Sequence, residues 1–328
     1  NPQDTIGCRP MMSALLLVVG LVVLIKGADF LVKGASILAS QFGISSLTIG
    51  LTVVSFGTSM PELLVSLMSG LQNKPDLAIG NVIGSNIANV LLVLGVAAII
   101  RPLPVRNSTV VSEIPFSLSA ALLLGFLANA HLFSDYPELS ISHVDGAILL
   151  FFFFLFMLYV YKTSGANAPP VREVKSAGTK LRASLLILLG ALGLYFGGQW
   201  VVDGAVGLAR NWGFNEALIG LTIVAIGTSS PELVATAVAA YRNQTDIAVG
   251  NVIGSNVFNL LWVLGFTSTI VELPFEVVSN TDLVVVIASS AMFILALVAS
   301  GNNTVRRSHG LLFISFYLAY IVYVVLRG

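Results

Sequence analysis

Residues 56–67 read FGTSMPELLVSL, and residues 226–237 read IGTSSPELVATA. Each stretch lies in a long apolar run and carries one glutamate, Glu62 or Glu232, directly after a proline. A carboxylate at the depth of the bilayer centre costs at least about 2.5 kcal/mol. Because the same unfavourable arrangement occurs twice, we predict that both glutamates are functional.

The apolar surroundings of the two motifs extend along the whole chain. Of its 328 residues, 56% are hydrophobic and 10% are charged, and the mean hydropathy is +0.93. Apolar runs of about twenty residues recur, and a run such as AILLFFFFLFMLYVY lacks the alternation of a membrane β-barrel. We therefore expect an integral protein of the lipid bilayer with helical spans, the first of which is a span rather than a cleaved signal peptide. The 16 basic and 16 acidic residues cancel, so neither a nucleic-acid partner nor a protein partner is indicated.

The sequence is a tandem repeat with an offset of 170 residues. This shift aligns Glu62 with Glu232 without a gap, and 26 of the 47 residues at positions 49–95 are identical to their partners. Hydropathy predicts five spans in each half. Because the number of crossings is odd, the second copy begins on the opposite side of the membrane and has inverted topology. This is the inverted-repeat architecture of secondary transporters. We expect an all-α membrane protein of ten transmembrane helices in two inverted five-helix repeats.

The expected boundaries follow from the same pattern. The first repeat covers 12–163, a cytoplasmic linker covers 164–182, and the second repeat covers 183–326. The predicted spans are 12–36, 44–69, 77–100, 113–130, 144–163, 183–208, 214–239, 247–270, 281–299 and 310–326. Ten lysines and arginines lie on the linker side and four on the other, so the positive-inside rule predicts a plasma-membrane protein with both termini outside.

The prolines of the two motifs explain the residues beside them. Pro61 has no N–H for the carbonyl of Gly57, and Pro231 has none for the carbonyl of Gly227. Each helix is therefore expected to open just before its glutamate and to present carbonyl oxygens. Hydroxyl groups lie at the same level, on Thr58, Ser59, Thr228 and Ser229. Carboxylate, carbonyl and hydroxyl oxygens are hard ligands that suit Na⁺ or Ca²⁺.

The third spans carry a second repeated motif, GNVIGSNIANVLLVLG at 80–95 and GNVIGSNVFNLLWVLG at 250–265. Ser85 and Asn89 are spaced i, i+4, as are Ser255 and Asn259, so each pair points from one helix face and is able to complete an oxygen cage. The alternative is that these residues only join neighbouring helices. The same choice remains open for four further asparagines, Asn81, Asn86, Asn251 and Asn256.

The first span of each half has a glycine stripe and, in the first half, a charged face. Glycines recur every seven residues, a pattern that permits either a sliding helix or ordinary close packing. The stripe consists of Gly20, Gly27 and Gly34 and their partners Gly190, Gly197 and Gly204. Lys26, Asp29 and Lys33 share one helix face, where we expect them to pair with one another or to reach toward the interface.

The paired motifs GTSxPE and GNxxGSNxxN resemble the two α-repeats of the calcium/cation antiporter superfamily, and most of all its prokaryotic sodium/calcium exchangers. The resemblance covers nearly the whole chain. It implies a ten-helix transporter rather than an enzyme, with no cofactor, in which the first and sixth helices slide across a fixed core. It also implies that three Na⁺ exchange for one Ca²⁺.

Carried over by position, the resemblance implies two overlapping sets of ligands. Ca²⁺ would bind Glu62 and Glu232 with the carbonyls of Thr58 and Thr228. Sodium would use the same glutamates with further oxygens, those of Ser59, Ser229, Ser85 and Ser255 and the carbonyls near Ser55 and Ala225. Asn259 stands where potassium-dependent relatives carry an acid, which speaks against potassium cotransport.

Three other functions remain as alternatives. Exchange of H⁺ for Ca²⁺ is the nearest, and a passive channel would differ from it in being unable to move calcium uphill. An intramembrane hydrolase would need a base near Ser59 or Ser229, but His131, His143 and His309 fall at predicted loops or span ends. GNVIGS is not a nucleotide loop, because no lysine follows it.

Overall fold

A computed structural model of the chain describes residues 4–130, 139–164, 177–211 and 225–327. Most of the expected linker, the start of the expected seventh span at 214–224 and His131 lie outside the described residues. The first half contains α1 Asp4–Phe42, α2 Ser46–Thr58, α3 Met60–Leu71, α4 Pro75–Ile100, α5 Asn107–Ala128 and α6 His143–Thr163. The second half contains α7 Ala177–Asn211, α8 Ala225–Thr228, α9 Ser230–Tyr241, α10 Thr245–Ile270, α11 Ser279–Ser300 and α12 Arg307–Arg327.

The helices confirm the predicted helical membrane fold. Within the described residues, eight helices are long and apolar enough to cross a bilayer, and α2 with α3 forms a further span that is bent by 45°. The break between α8 and α9 falls at the equivalent position of the second half. The structure therefore confirms the helical nature of the spans, nine of the ten expected spans lie within the described residues, and the bend divides the expected second span in two.

Short strands tie together the loops at each end of the bundle. The strands are β1 Leu103–Pro104, β2 Ser140–Ile141, β3 Leu273–Pro274 and β4 Thr304–Val305. On one face, here named the linker face, β1 pairs with β4, and the amide of Ser45 donates to the carbonyl of Ser164 at the end of α6. On the opposite face, named the terminal face, β2 pairs with β3, and Arg327 at the end of α12 forms an ion pair with Asp282.

The two faces establish the inversion of the halves. The third span of the first half, α4, ends at the linker face, whereas its counterpart α10 ends at the terminal face. These two helices form the centre of the bundle: 72% of the apolar window of α4 and 94% of that of α10 is buried, against 17% for α12. A helix surrounded by other helices is free to carry polar side chains without exposing them to lipid.

Helices α1 and α7 pack along each other beside this centre. The glycine stripe lies in their contact: a Cβ atom on Gly27 would meet the backbone of Gly193 at 2.7 Å, and one on Gly190 would meet the backbone of Leu31 at 2.5 Å. The stripe therefore allows close packing, as one of its two interpretations required. That the pair also slides stays a prediction.

Candidate cation-binding site

The two glutamates lie at matching breaks in the helices. Ser59 separates α2 from α3 with φ −85° and ψ 6°, and Ser229 separates α8 from α9 with φ −85° and ψ 7°. Each break precedes a proline in the first turn of the following helix, where the missing N–H does no harm. Glu62 and Glu232 follow in that first turn, near helix N-termini whose dipoles favour negative charge.

One expectation about the open carbonyls was wrong. The carbonyl of Gly227 is satisfied by the hydroxyl of Ser230, which donates to it at 2.7 Å. The serine immediately before Pro231 thus replaces the hydrogen bond that the proline removes. Position 60, the counterpart in the first half, is methionine, which has no such donor.

Glu62 is fully buried, and its two carboxylate oxygens differ. Oε1 accepts a hydrogen bond from the hydroxyl of Ser85 on α4 at 3.3 Å. Ser85 in turn accepts from the hydroxyl of Ser229 at 3.2 Å. Oε2 has no hydrogen-bond partner among the described residues.

Glu232 is also fully buried, but the hydroxyl of a serine in the opposite helix break contacts it directly. Its Oε1 accepts a hydrogen bond from the hydroxyl of Ser59 at 3.1 Å, and its Oε2 is without a hydrogen-bond partner in the described part of the chain. Each acid is therefore contacted by the break of the opposite half, directly in one case and through Ser85 in the other. The two halves meet at the carboxylates, and both acids leave one oxygen available to a cation.

Thr58, Ser255 and Ser55 connect α2 to α10. The hydroxyl of Thr58 lies 3.2 Å from Asn251 Oδ1 and 3.4 Å from the hydroxyl of Ser255. The hydroxyl of Ser55 donates to the carbonyls of Gly50 at 2.7 Å and Asn251 at 3.1 Å. Thr228 is half-buried, and Ala225, whose carbonyl was proposed as a ligand, begins α8.

The asparagines of the second motif have different partners, and Asn86 donates to the carbonyl of Val82 in its own helix, at 2.8 Å. Asn81 donates to the carbonyl of Glu62 at 3.2 Å and to Ser66 at 2.9 Å, and Asn251 donates to Thr236 at 2.9 Å. These amides join helices, as the alternative interpretation held. Asn89 and Asn259 are different, because both are fully buried and neither their amide nitrogen nor their oxygen has a hydrogen-bond partner among the described residues.

Asn89 and Asn259 also lie in π-helical segments, Asn89–Val93 and Phe258–Val263. A third π-helical segment, Gly50–Val54, lies in α2 before the first motif. Such segments often mark functional sites, since the wider turn reorients side chains and loosens the backbone ladder. Sequence reasoning missed all three, and no residue pattern in the motifs indicates them.

The assembled site offers hard oxygen ligands around two carboxylates. Ser59 and Ser85 each donate a hydrogen bond to one of the two side chains, and in the described part of the chain neither carboxylate forms an ion pair with lysine, arginine or histidine. Buried carboxylates without a cationic side chain require another cation. A cavity of about 480 Å³ between α3 and α7 reaches the motifs at Pro61, Thr228 and Pro231.

Inverted helical repeats, with broken helices that present paired acids at the centre of the bundle, define a secondary transporter of cations. The chain belongs to the sodium/calcium exchanger protein family, whose sequence profile matches residues 12–162 and 182–326. It is a multi-pass membrane protein of a family of transporters.

Relatives and solved structures agree with this assignment. The inner membrane protein YrbG of Escherichia coli K12 is 38% identical over 79% of this chain and 80% of its own length. The sodium/calcium exchanger MaX1 of Methanosarcina acetivorans is 30% identical over 82% of this chain and 86% of its own. A structure of the sodium-calcium exchanger NCX_Mj soaked with 10 mM Na⁺ and zero Ca²⁺ aligns with a TM-score of 0.82 at 30% identity, covering 95% of this chain and 99% of that one.

Proposed function

We propose that this chain exchanges three Na⁺ for one Ca²⁺ across the plasma membrane by alternating access. The observation that carries the proposal is the pair of fully buried carboxylates, each with one oxygen held by a serine and one without a hydrogen-bond partner in the described part of the chain. Two ionised carboxylates carry two negative charges, which one Ca²⁺ balances. Oxygen ligands of this kind suit Ca²⁺ and Na⁺.

The ligands divide between the two ions. Calcium binds both glutamates, with the carbonyls of Thr58 and Thr228. Sodium uses the same glutamates with oxygens from both halves, those of Ser59, Ser229, Ser85, Ser255, Asn89 and Asn259 and the carbonyls near Ser55 and Ala225. The partnerless amides of Asn89 and Asn259 support their inclusion, because a buried amide oxygen without a hydrogen bond is costly unless a ligand satisfies it.

Calcium uptake by proteoliposomes tests the exchange. Vesicles loaded with Na⁺ and diluted into Na⁺-free medium with trace Ca²⁺ are expected to accumulate calcium above its external concentration, whereas vesicles loaded with K⁺ are not. Uptake driven instead by an imposed pH gradient, with no Na⁺ present, would contradict sodium coupling and favour H⁺/Ca²⁺ exchange. Equilibration without accumulation would indicate a channel.

We further propose that repeats 12–163 and 183–326 flank a cytoplasmic linker at 164–182, with both termini outside. The excess of lysine and arginine on the linker side supports this orientation. The single cysteine, Cys8, is a native probe. Labelling of Cys8 by a membrane-impermeant maleimide on intact cells, lost in a Cys8→Ser control, is expected; labelling only after lysis would reverse the orientation.

A further inference from the structure

The approaches to the site from the two faces of the bundle are not alike. Toward the terminal face, the cavity of about 480 Å³ separates α3, at Val65 and Met68, from α7, at Gln199 and Asp203. Toward the linker face, the corresponding helices are α9 and α1, and these pack against each other. Of these two equivalent passages, the one between α3 and α7 is open and the one between α1 and α9 is closed.

An ion-pair cluster lies where the passage is closed. Arg242 directly follows α9, the helix that carries Glu232, and its Nη2 pairs with Oδ1 of Asp29 on α1. Lys33, one turn further along α1, pairs with Oδ2 of the same aspartate at 2.7 Å. Asp29 thus joins α1 to the end of a site helix, and its own side chain is only 18% exposed.

The open passage has no equivalent cluster, for a reason that lies in the sequence. The 170-residue shift matches Asp29, Lys33 and Arg242 with Gln199, Asp203 and Gln72. Two glutamines and one aspartate cannot form an ion pair among themselves. The two halves therefore differ at all three positions.

Two other polar contacts on the linker face do not involve α1. Arg106 pairs with Asp246 at 2.5 Å, so it joins the loop after α4 to the first turn of α10, and Arg101 donates to Asn243 at 3.0 Å in the loop before α10. These two contacts therefore join the ends of the central helices α4 and α10. Of the ion pairs in the described residues, the cluster at Asp29 is the one that ties α1 to a helix of the site.

We propose that Asp29, Arg242 and Lys33 form a latch that closes the linker-face passage and favours the conformation open to the terminal face. This inference rests on the alternating access proposed above. Because the opposite passage lacks a latch, the two conformations are unequally populated, and losing the latch shifts the population toward the linker face. The apparent affinity for Ca²⁺ then changes in opposite directions on the two faces, since it scales with the fraction of protein open to each.

Cysteine accessibility tests the latch without requiring transport. In a Cys8→Ser background, Gln199→Cys places a thiol in the terminal-face cavity, where an impermeant maleimide added to that face reaches it. Asp29→Asn is expected to change the equilibrium between the two conformations about two- to fivefold, the range for one partly exposed ion pair. Because the conformation open to the terminal face is the major one in the parent, its fraction changes less, and the labelling is expected to slow by up to about threefold. The matched control is Asp246→Asn, which removes an ion pair of the same face that does not touch α1; its labelling rate is expected to equal that of the parent.

Two further variants keep the result interpretable. Lys33→Gln is expected to shift the labelling in the same direction but less, because Arg242 still pairs with Asp29. The charge exchange Asp29→Arg with Arg242→Asp is expected to restore the labelling rate in part, because the pair between α1 and the end of α9 is re-formed while Lys33 now faces an arginine. Unchanged labelling in a folded Asp29→Asn protein, or an equal change in Asp246→Asn, would overturn the latch.

Transport measured from each face gives an independent check. In Asp29→Asn, the half-saturating Ca²⁺ concentration is expected to rise on the terminal face and fall on the linker face. A parallel rise on both faces would mean damage to the site and would contradict the latch. Labelling that follows the prediction in a protein without sodium-driven uptake would refute the proposed exchange while leaving the latch intact.

Discussion

The first and second halves of this exchanger carry nearly the same motifs, yet hydroxyl groups reach the two glutamates by different routes. Ser59 donates directly to Glu232, whereas its counterpart Ser229 donates to Ser85, which donates to Glu62. The halves also differ one turn earlier, where Ser55 corresponds to Ala225, a residue without a hydroxyl. Inverted repeats therefore provide equal charges but unequal hydrogen-bond partners for the two carboxylates.

The largest expected effect comes from removing either charge. Glu62→Gln and Glu232→Gln are each expected to lower sodium-driven calcium flux by about 100-fold or more, as loss of roughly 3 kcal/mol of ion binding implies. The flux is measured with each purified variant in sodium-loaded proteoliposomes. Both proteins should remain folded. A buried carboxylate without a cation destabilises the bundle, and the substitution by glutamine removes that charge.

A matched control is Glu113→Gln. Glu113 is a buried acid of α5 that accepts a hydrogen bond from the hydroxyl of Tyr159 at 3.1 Å, outside the two motifs. The Glu113→Gln protein should keep most of the sodium-driven calcium flux. If one site variant retained near-parental flux while the other lost it, the halves would not contribute equal charges and the comparison above would fail.

The second prediction asks whether the two charges act together. A site with two negative charges is neutral with one Ca²⁺ and carries one positive charge with three Na⁺. Moving that charge couples to voltage at about 2.3 kcal/mol per 100 mV, or about 50-fold in the exchange equilibrium. Calcium flux into sodium-loaded vesicles, with the voltage set by K⁺ and valinomycin, is expected to vary with voltage. A flux that ignores voltage would indicate two Na⁺ per Ca²⁺ or a moving proton.

The third prediction concerns the crossing of the halves at Ser55. A Cβ atom at Gly254 would lie 2.2 Å from the hydroxyl of Ser55 and 2.7 Å from the carbonyl of Leu51. Gly254→Ala is expected to destabilise the protein by about 1–3 kcal/mol, since α10 would have to move away from α2. Thermal unfolding in detergent measures this.

Gly57→Ala is the control for this crossing. Its Cβ would come no closer than 3.8 Å to a neighbour, so an unfolding temperature near that of the parent protein is expected. Equal stability of both variants would show that the helices at Ser55 are not tightly packed.

The sequence predicted some of this site and not the rest, for physical reasons. Glu62 and Glu232 stand out because acids are costly in lipid, and the repeat with an odd number of spans implies the inversion. Both depend on composition and spacing alone. The π-helical segments at Asn89 and Asn259 have no signature in the motif sequences, and the relay through Ser85 depends on packing between helices distant in sequence. The hydrogen bond from Ser230 to the carbonyl of Gly227 is local, and the serine at position 230, where the first half has Met60, is the sequence signal for it.

The smallest expected effect measures the difference in routes directly. Ser59→Ala removes a hydrogen bond to a carboxylate, whereas Ser229→Ala removes one between two hydroxyls; such bonds contribute roughly 1.5–3 and 0.5–1.5 kcal/mol. The half-saturating Ca²⁺ concentration is therefore expected to rise about tenfold in Ser59→Ala and about threefold in Ser229→Ala. Ser268→Ala, which removes a buried hydroxyl of α10 that donates to the carbonyl of Leu264 at 2.7 Å, controls for the loss of any buried serine. Should Ser229→Ala equal or exceed Ser59→Ala, the relay through Ser85 does not persist when the cation binds, and the two halves hold it alike.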